Sequence, residues 1–159
     1  MRKTLTCLVT TLVLCVPLLS LAQDKDTYRT NRDRATQIAA NIERSIKSKE
    51  MEWRLKDASP EDFGFHQYWR SGKREIRVSI SVYNSPEEAS NTLQVRSRTS
   101  SVAFGEKLDD FGEEAYYLTH RYFGAVGVRK GRTYVEVHAP SLVLAKQFAQ
   151  YALEQIQEQ

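Results

Sequence analysis

Beyond its first 22 residues the chain has no cysteine; Cys7 and Cys15 are the only two among 159 residues. A disulfide, a thiol nucleophile and a cysteine-based metal centre are therefore excluded from the remaining length. No N-x-[ST] sequon is present, since Asn41, Asn84 and Asn91 each lack a hydroxyl residue two positions on. The G-x-S-x-G elbow of serine hydrolases is missing as well. No solenoid-period repeat or low-complexity tract occurs, and no fingerprint implies a cofactor. Excess charge is also lacking. Lys and Arg number 23 against 20 Asp and Glu, and without Arg2 and Lys3 the balance is 21 against 20. Nucleic-acid binders carry a basic stripe or a domain-wide excess, so nucleic acid is not the expected partner.

Long hydrophobic runs are absent except at the start. Residues 5–19 are apolar apart from threonines, Cys7, Cys15 and Pro17, follow Arg2 and Lys3, and lead to Ser20-Leu21-Ala22, with small residues at the −3 and −1 positions of a cleavage site. This is the layout of a secretory signal peptide spanning residues 1–22. The run is short for a bilayer span and passes straight into Gln23-Asp24-Lys25-Asp26. Bulky Leu14 precedes Cys15 where a lipid-attachment site takes a small residue, which argues against lipidation. Cleavage after Ala22 leaves 137 of the 159 residues, enough for one ordinary core and without a transmembrane segment. The expected destination is a periplasm or the extracellular space.

Residues 23–31 are charged and without apolar periodicity, which predicts a disordered lead before a single domain over 32–159. A first helix follows, capped by Thr30 or Asn31, with Ala35, Ile38, Ala39, Ile42 and Ile46 on one stripe. From Met51 to Leu55 the pattern fits either the end of that helix or the start of a short edge strand, and Lys56 to Glu61 reads as a loop around Pro60. Residues 63–70 and 73–83 form a hairpin turning at Ser71-Gly72, with Trp69 opposite Arg74, Phe65 opposite Val78 and Phe63 opposite Ile80. Ser85, Pro86 and Glu88 make a capping box for a second helix that carries Ala89 and Leu93 inward. Residues 98–106 read as a polar surface loop, and 115–121 as a strand. A second hairpin turns at Lys130-Gly131, with Val126 opposite Val135 and Val128 opposite Thr133. Ser141 then caps a final helix with Leu142, Ala145, Phe148, Ala149, Ala152 and Ile156 on its stripe. This order predicts an α+β domain: one mainly antiparallel sheet of five to six strands, with an N-terminal, a middle and a C-terminal helix on a single face.

Side chains alternate across a strand, so the other sheet face collects a distinct set. Tyr68, Tyr83 and Tyr134 lie there among Arg77, Arg129 and Arg132. Tyrosine and arginine are enriched at binding hot spots, and these six are the candidate partner-binding residues. The same face holds His66 beside Ser79 and Ser81, and Glu136 with His138. The Ser-His pairing lacks the strained turn and oxyanion donors of nucleophilic catalysis, so no catalytic residue is assigned. His66, Glu136 and His138 are weak metal candidates, since a closed site takes four ligands. No metal is expected.

Ser85-Pro86-Glu87-Glu88-Ala89, Phe111-Gly112-Glu113-Glu114-Ala115-Tyr116 and Arg129-Lys130-Gly131 before Tyr134-Val135 and a terminal helix form a pattern. It resembles small secreted bacterial domains of uncharacterised role and, in architecture, the PsbP-like α+β domains, over roughly residues 60–157. The resemblance implies an exported accessory or binding domain and carries over no functional residue. The expectation is thus an exported, non-catalytic accessory or binding domain acting through an open sheet face or the 98–106 loop. Its partner is a protein or a small anionic ligand, such as a phosphorylated or carboxylated glycan. The alternatives are a small envelope enzyme using His66 or His138, and a carrier of a small apolar ligand held between sheet and helices.

Overall fold

The computed structural model describes residues 16–61, 64–98 and 105–157, with side chains from residue 27 onward. Residues 1–15, most of the expected signal segment, lie outside the described residues. Helix α1 spans Val16–Lys49, so residues 23–31, read as a disordered lead, are helical. Its stripe of Ala35, Ile38, Ala39, Ile42 and Ile46 is buried as the three-and-four spacing requires. Among the described residues no helix is long and apolar enough to cross a membrane.

The chain then makes β1 (Arg54–Glu61), β2 (Gly64–Ser71), β3 (Arg74–Val82), α2 (Pro86–Arg98) and β4 (Glu106–Lys107). It continues through β5 (Glu114–His120), β6 (Phe123–Lys130), β7 (Thr133–Ala139) and α3 (Leu142–Leu153). All pairings are antiparallel, in one seven-stranded sheet ordered β1-β2-β3-β7-β6-β5-β4. The sheet exceeds the expected five or six strands because segments read as loops supply its edges. Residues 56–61 belong to β1, and Glu106–Lys107 make the two-residue β4, while 99–104 lie outside the described residues. Pro60 misled the reading of β1, yet proline is tolerated on an edge strand, and the β1 register also breaks between Leu55 and Asp57.

Both long hairpins pair two residues away from the expected register. β2 and β3 close on Gly72-Lys73, with Trp69 opposite Ile76 and Phe65 opposite Ile80; Phe63 lies outside the described residues. β6 and β7 close on Gly131-Arg132, with Val128 opposite Val135 and Val126 opposite Val137. Gly72 and Gly131 have φ of +59° and +56°, whereas Lys73 and Arg132 are not in the positive region. That is the requirement of a type II′ turn, which puts glycine first of the two loop residues rather than second. A slip of two leaves every side chain on its expected face.

One face carries the main core, covered by α1 and α3. Trp53 and Trp69 meet Phe148 edge-on, at centroid distances of 5.4 and 6.5 Å. Gln67 shares this face, fully buried, and donates from Nε2 to the Ala39 carbonyl of α1 at 2.8 Å. The second helix does not join them. Leu93 of α2 packs with Tyr116, Leu118, Ala125 and Tyr134, all on the opposite face of β5, β6 and β7. The expectation of three helices on one face is corrected to two on one and one on the other. β6 is therefore buried on both sides, from Gly124 through Arg129.

Candidate functional site

Placing α2 on the second face changes what that face can do. The helix roofs β5, β6 and β7 and leaves β1, β2 and β3 uncovered by it. Strand register arranges the face in three rows. The first runs Glu61, Gly64, Ser81, Tyr134, Arg129, Glu114. The second runs Ser59, His66, Ser79, Glu136, Gly127, Tyr116. The third runs Asp57, Tyr68, Arg77, His138, Ala125, Leu118. Where the roof ends, a groove of about 430 Å³ opens, floored by His66, Arg77, Ser79, Ser81 and Glu136 and bounded on the α2 side by Thr92 and Arg96.

Under the roof the tyrosine hydroxyls and the Glu136 carboxylate are paired, while Arg129 Nε is buried without a hydrogen-bond partner among the described residues. Tyr134 donates its hydroxyl proton to Glu136 Oε2 at 3.1 Å, so Tyr116, 3.1 Å away, must donate to the Tyr134 oxygen. Gly127 makes this possible: a Cβ there would lie 2.3 Å from the Tyr116 ring. Burial, with the Glu136 charge nearby, pushes the Tyr116 hydroxyl up to about 12. Burial, again with Glu136, raises Tyr134 further still. Burial also works to raise Glu136, but the hydrogen bond from His138 Nε2 at 2.7 Å, the His138 and Arg96 charges and the Tyr134 hydroxyl outweigh it. Its carboxyl therefore lies below the ordinary range.

In the open part, His66 uses both ring nitrogens. Nε2 pairs with the Glu61 carboxylate and Nδ1 lies 2.8 Å from Ser79 Oγ. A carboxylate only accepts, so Nε2 carries a proton; in the neutral ring Nδ1 accepts from the Ser79 hydroxyl. Both groove carboxylates are thus engaged by histidines. The guanidinium of Arg77 is different. Among the described residues its Nε, like that of Arg129, is buried with no hydrogen-bond partner, but unlike Arg129 it has no carboxylate within ion-pair distance. Arg96, exposed on α2, likewise has no carboxylate at that distance, although its charge is felt at Glu136.

The six expected binding residues separate. Arg77, Tyr83 and Tyr134 line the groove, Tyr134 buried at 4% exposure beneath its rim. Tyr68 is exposed in the third row but outside the groove lining. Arg129 is buried and clamps the β6–β7 turn. Its Nη1 reaches the Glu113 carboxylate and the Gly131 carbonyl, and its Nη2 reaches Glu114 Oε1 at 3.1 Å. Glu114 in turn accepts from Ser90 of α2 at 2.8 Å, and that bond, with Arg129 behind it, holds its carboxyl below the usual range. Arg132 sits on a separate cavity beside α1.

The weak metal candidates are not brought together. Although the two hairpins lie side by side through β3 and β7, His66 is on β2, two strands from Glu136 and roughly 10 Å across the sheet at the usual strand spacing. Among the described residues no group of three or more His, Cys, Asp or Glu side chains is positioned to hold a metal ion. Sequence reasoning missed Glu61, Thr92 and Arg96. Thr92 and Arg96 are four apart and flank Leu93, but that spacing points to the groove only once α2 is known to cross this face. No protein-family model matches the chain, and no curated protein is significantly similar to it.

Proposed function

We propose that this chain is an exported, non-catalytic binding domain whose ligand presents an oxyanion, a phosphate or a carboxylate, to the groove beside α2. The observation that carries this reading is Arg77, half-buried, with a buried Nε that has no hydrogen-bond partner and no carboxylate at ion-pair distance among the described residues. An unpaired buried donor costs about 1–3 kcal/mol, more when charged, and an oxyanion with its two or three acceptor oxygens offsets that cost. Arg96 adds a second positive charge at the rim. Export rests on the signal-like residues 1–22. The PsbP-like resemblance agrees with an accessory role. Thermal unfolding against inorganic phosphate, acetate, divalent metals and neutral sugars tests the class. A ligand selective for the folded state adds about 2.7 kcal/mol of stability at a hundredfold excess over its Kd. Stabilisation by anions alone supports the reading, and a panel without an anion effect refutes it.

A second reading is favoured by one specific contact. The Ser79 hydroxyl on His66 Nδ1, with Glu61 on Nε2, has the order nucleophile, base, orienting carboxylate. As a hydrolase the groove would cleave p-nitrophenyl acetate, and Ser79→Ala would abolish the turnover with an unchanged melting temperature. The binding reading predicts no Ser79-dependent turnover.

A further inference from the structure

A second cavity of about 370 Å³ adjoins the groove, and Tyr83 and Thr92 line both. Its chemistry differs. It lies between α1, the end of β3 and the first turns of α2, with Tyr28 and Tyr83 among its walls. The uncharged polar side chains are amides and a hydroxyl, Asn31, Asn84, Asn91 and Thr92, beside one charge of each sign, Glu88 and the exposed Arg32. The Asn84 amide oxygen accepts from Asn31 at 2.7 Å, which leaves the Asn84 amide N–H groups for another acceptor. Asn91 and Thr92 make no side-chain hydrogen bond among the described residues. Glu88, which accepts from the Asn84 backbone N–H at 3.1 Å, sets a carboxylate against the Arg32 charge at this end, whereas the groove holds Arg77 and Arg96 with no carboxylate at ion-pair distance among the described residues. The negative end of a ligand spanning both cavities is therefore directed to Arg77.

Amide side chains present a donor and an acceptor in one plane, matching adjacent hydroxyls on a sugar ring. Tyrosine supplies an apolar ring surface with a polar tip. From the continuity of the two cavities and this division of chemistry, we infer that the ligand is an acidic saccharide: an oxyanion on Arg77 and an uncharged ring between Tyr28 and Tyr83. This inference rests on the anion-binding reading of the groove and adds the identity of the ligand's other end.

The test is calorimetric titration of the protein purified from cells expressing the full chain. The probes are inorganic phosphate, acetate, glucose 6-phosphate, glucuronate, methyl glucoside and AMP. At least one acidic sugar is expected to bind tenfold or more tightly than its simple anion and than methyl glucoside, and more tightly than AMP. Asn91→Ala, an exposed change that suits a helix, is expected to remove that advantage while leaving phosphate binding unchanged. Arg77→Gln, or the exposed Arg96→Gln should that variant fold poorly, is expected to weaken the acidic sugar and phosphate together. Acidic sugars binding no better than simple anions would overturn the saccharide and leave the anion groove standing. AMP binding best would overturn it in favour of a nucleobase. No anion binding at all would remove the underlying reading and the saccharide with it.

Discussion

His66 Nδ1 and Ser79 Oγ meet at 2.8 Å across β2 and β3, and the next residue along the same row is Glu136. Glu61 and Glu136 are each taken by a histidine, His66 and His138. The groove is left with Arg77 and Arg96 as positive groups without a carboxylate at ion-pair distance among the described residues. The proposed anion recognition rests on that division rather than on net charge, which is near zero once Arg2 and Lys3 are set aside.

Arg129 separates structure from binding. It is buried against Glu113, Glu114 and the Gly131 carbonyl, away from the groove. Arg129→Met is expected to lower stability by about 2 kcal/mol, less than a fully buried pair because both glutamates are partly exposed. Urea unfolding measures the loss, and phosphate affinity of the folded variant is expected to stay unchanged.

The tyrosine pair makes a second prediction. Tyr134→Phe removes the proton donated to Glu136 and the acceptor for Tyr116 while keeping the ring under Leu93. A cost of about 1–3 kcal/mol is expected, because two buried polar groups lose a partner. A midpoint equal to that of the unchanged protein would mean the hydroxyls do not stabilise the fold.

Alkaline pH acts on the same groups. Burial raises Tyr116 from the ordinary value of 10 to about 12, so the folded state holds its proton more tightly than the unfolded chain. The associated stability is complete below pH 10 and is lost as pH rises toward 12. Tyr116 alone is expected to contribute a fall of about 2–3 kcal/mol in urea stability between pH 9 and 12, one pKa unit being about 1.4 kcal/mol, and the raised Tyr134 adds to it. Tyr116→Phe is expected to reduce the slope, the remainder belonging to Tyr134.

Gly127 sets the space for that pair. Gly127→Ala puts a methyl group 2.3 Å from Tyr116 Cε1, and overpacking of this kind costs about 1–3 kcal/mol. Combining it with Tyr116→Ala is expected to cost less than the two changes summed. Additive losses would contradict the steric account.

Much of the fold was legible because helical and strand periodicities are local. The α1 stripe, the α3 stripe as far as Ala152, the Ser85 cap on the Glu88 N–H and both hairpin faces stand as expected, while Ile156 is buried beyond the end of α3. Two things were not. Pro60 and Glu106 sit in stretches with loop signals, yet edge strands tolerate such residues. The face taken by α2 depends on a long-range choice, and its inward pattern of only Ala89 and Leu93 says nothing about which face. A signal did exist in β6: Ala125 and Gly127, small residues on a face expected to be exposed, mark where a roof comes close. Without that roof, Arg129 and Tyr134 read as surface and Arg96 did not register. With it, Arg77 is set at the boundary between covered and open sheet.

Titration of the protein with inorganic phosphate, beside its Arg77→Gln variant, tests the central claim most directly. The account predicts saturable binding that weakens at least tenfold in the variant while the melting temperature of the free protein is held or raised. Equal affinity in the two proteins, or no binding to either, would contradict it.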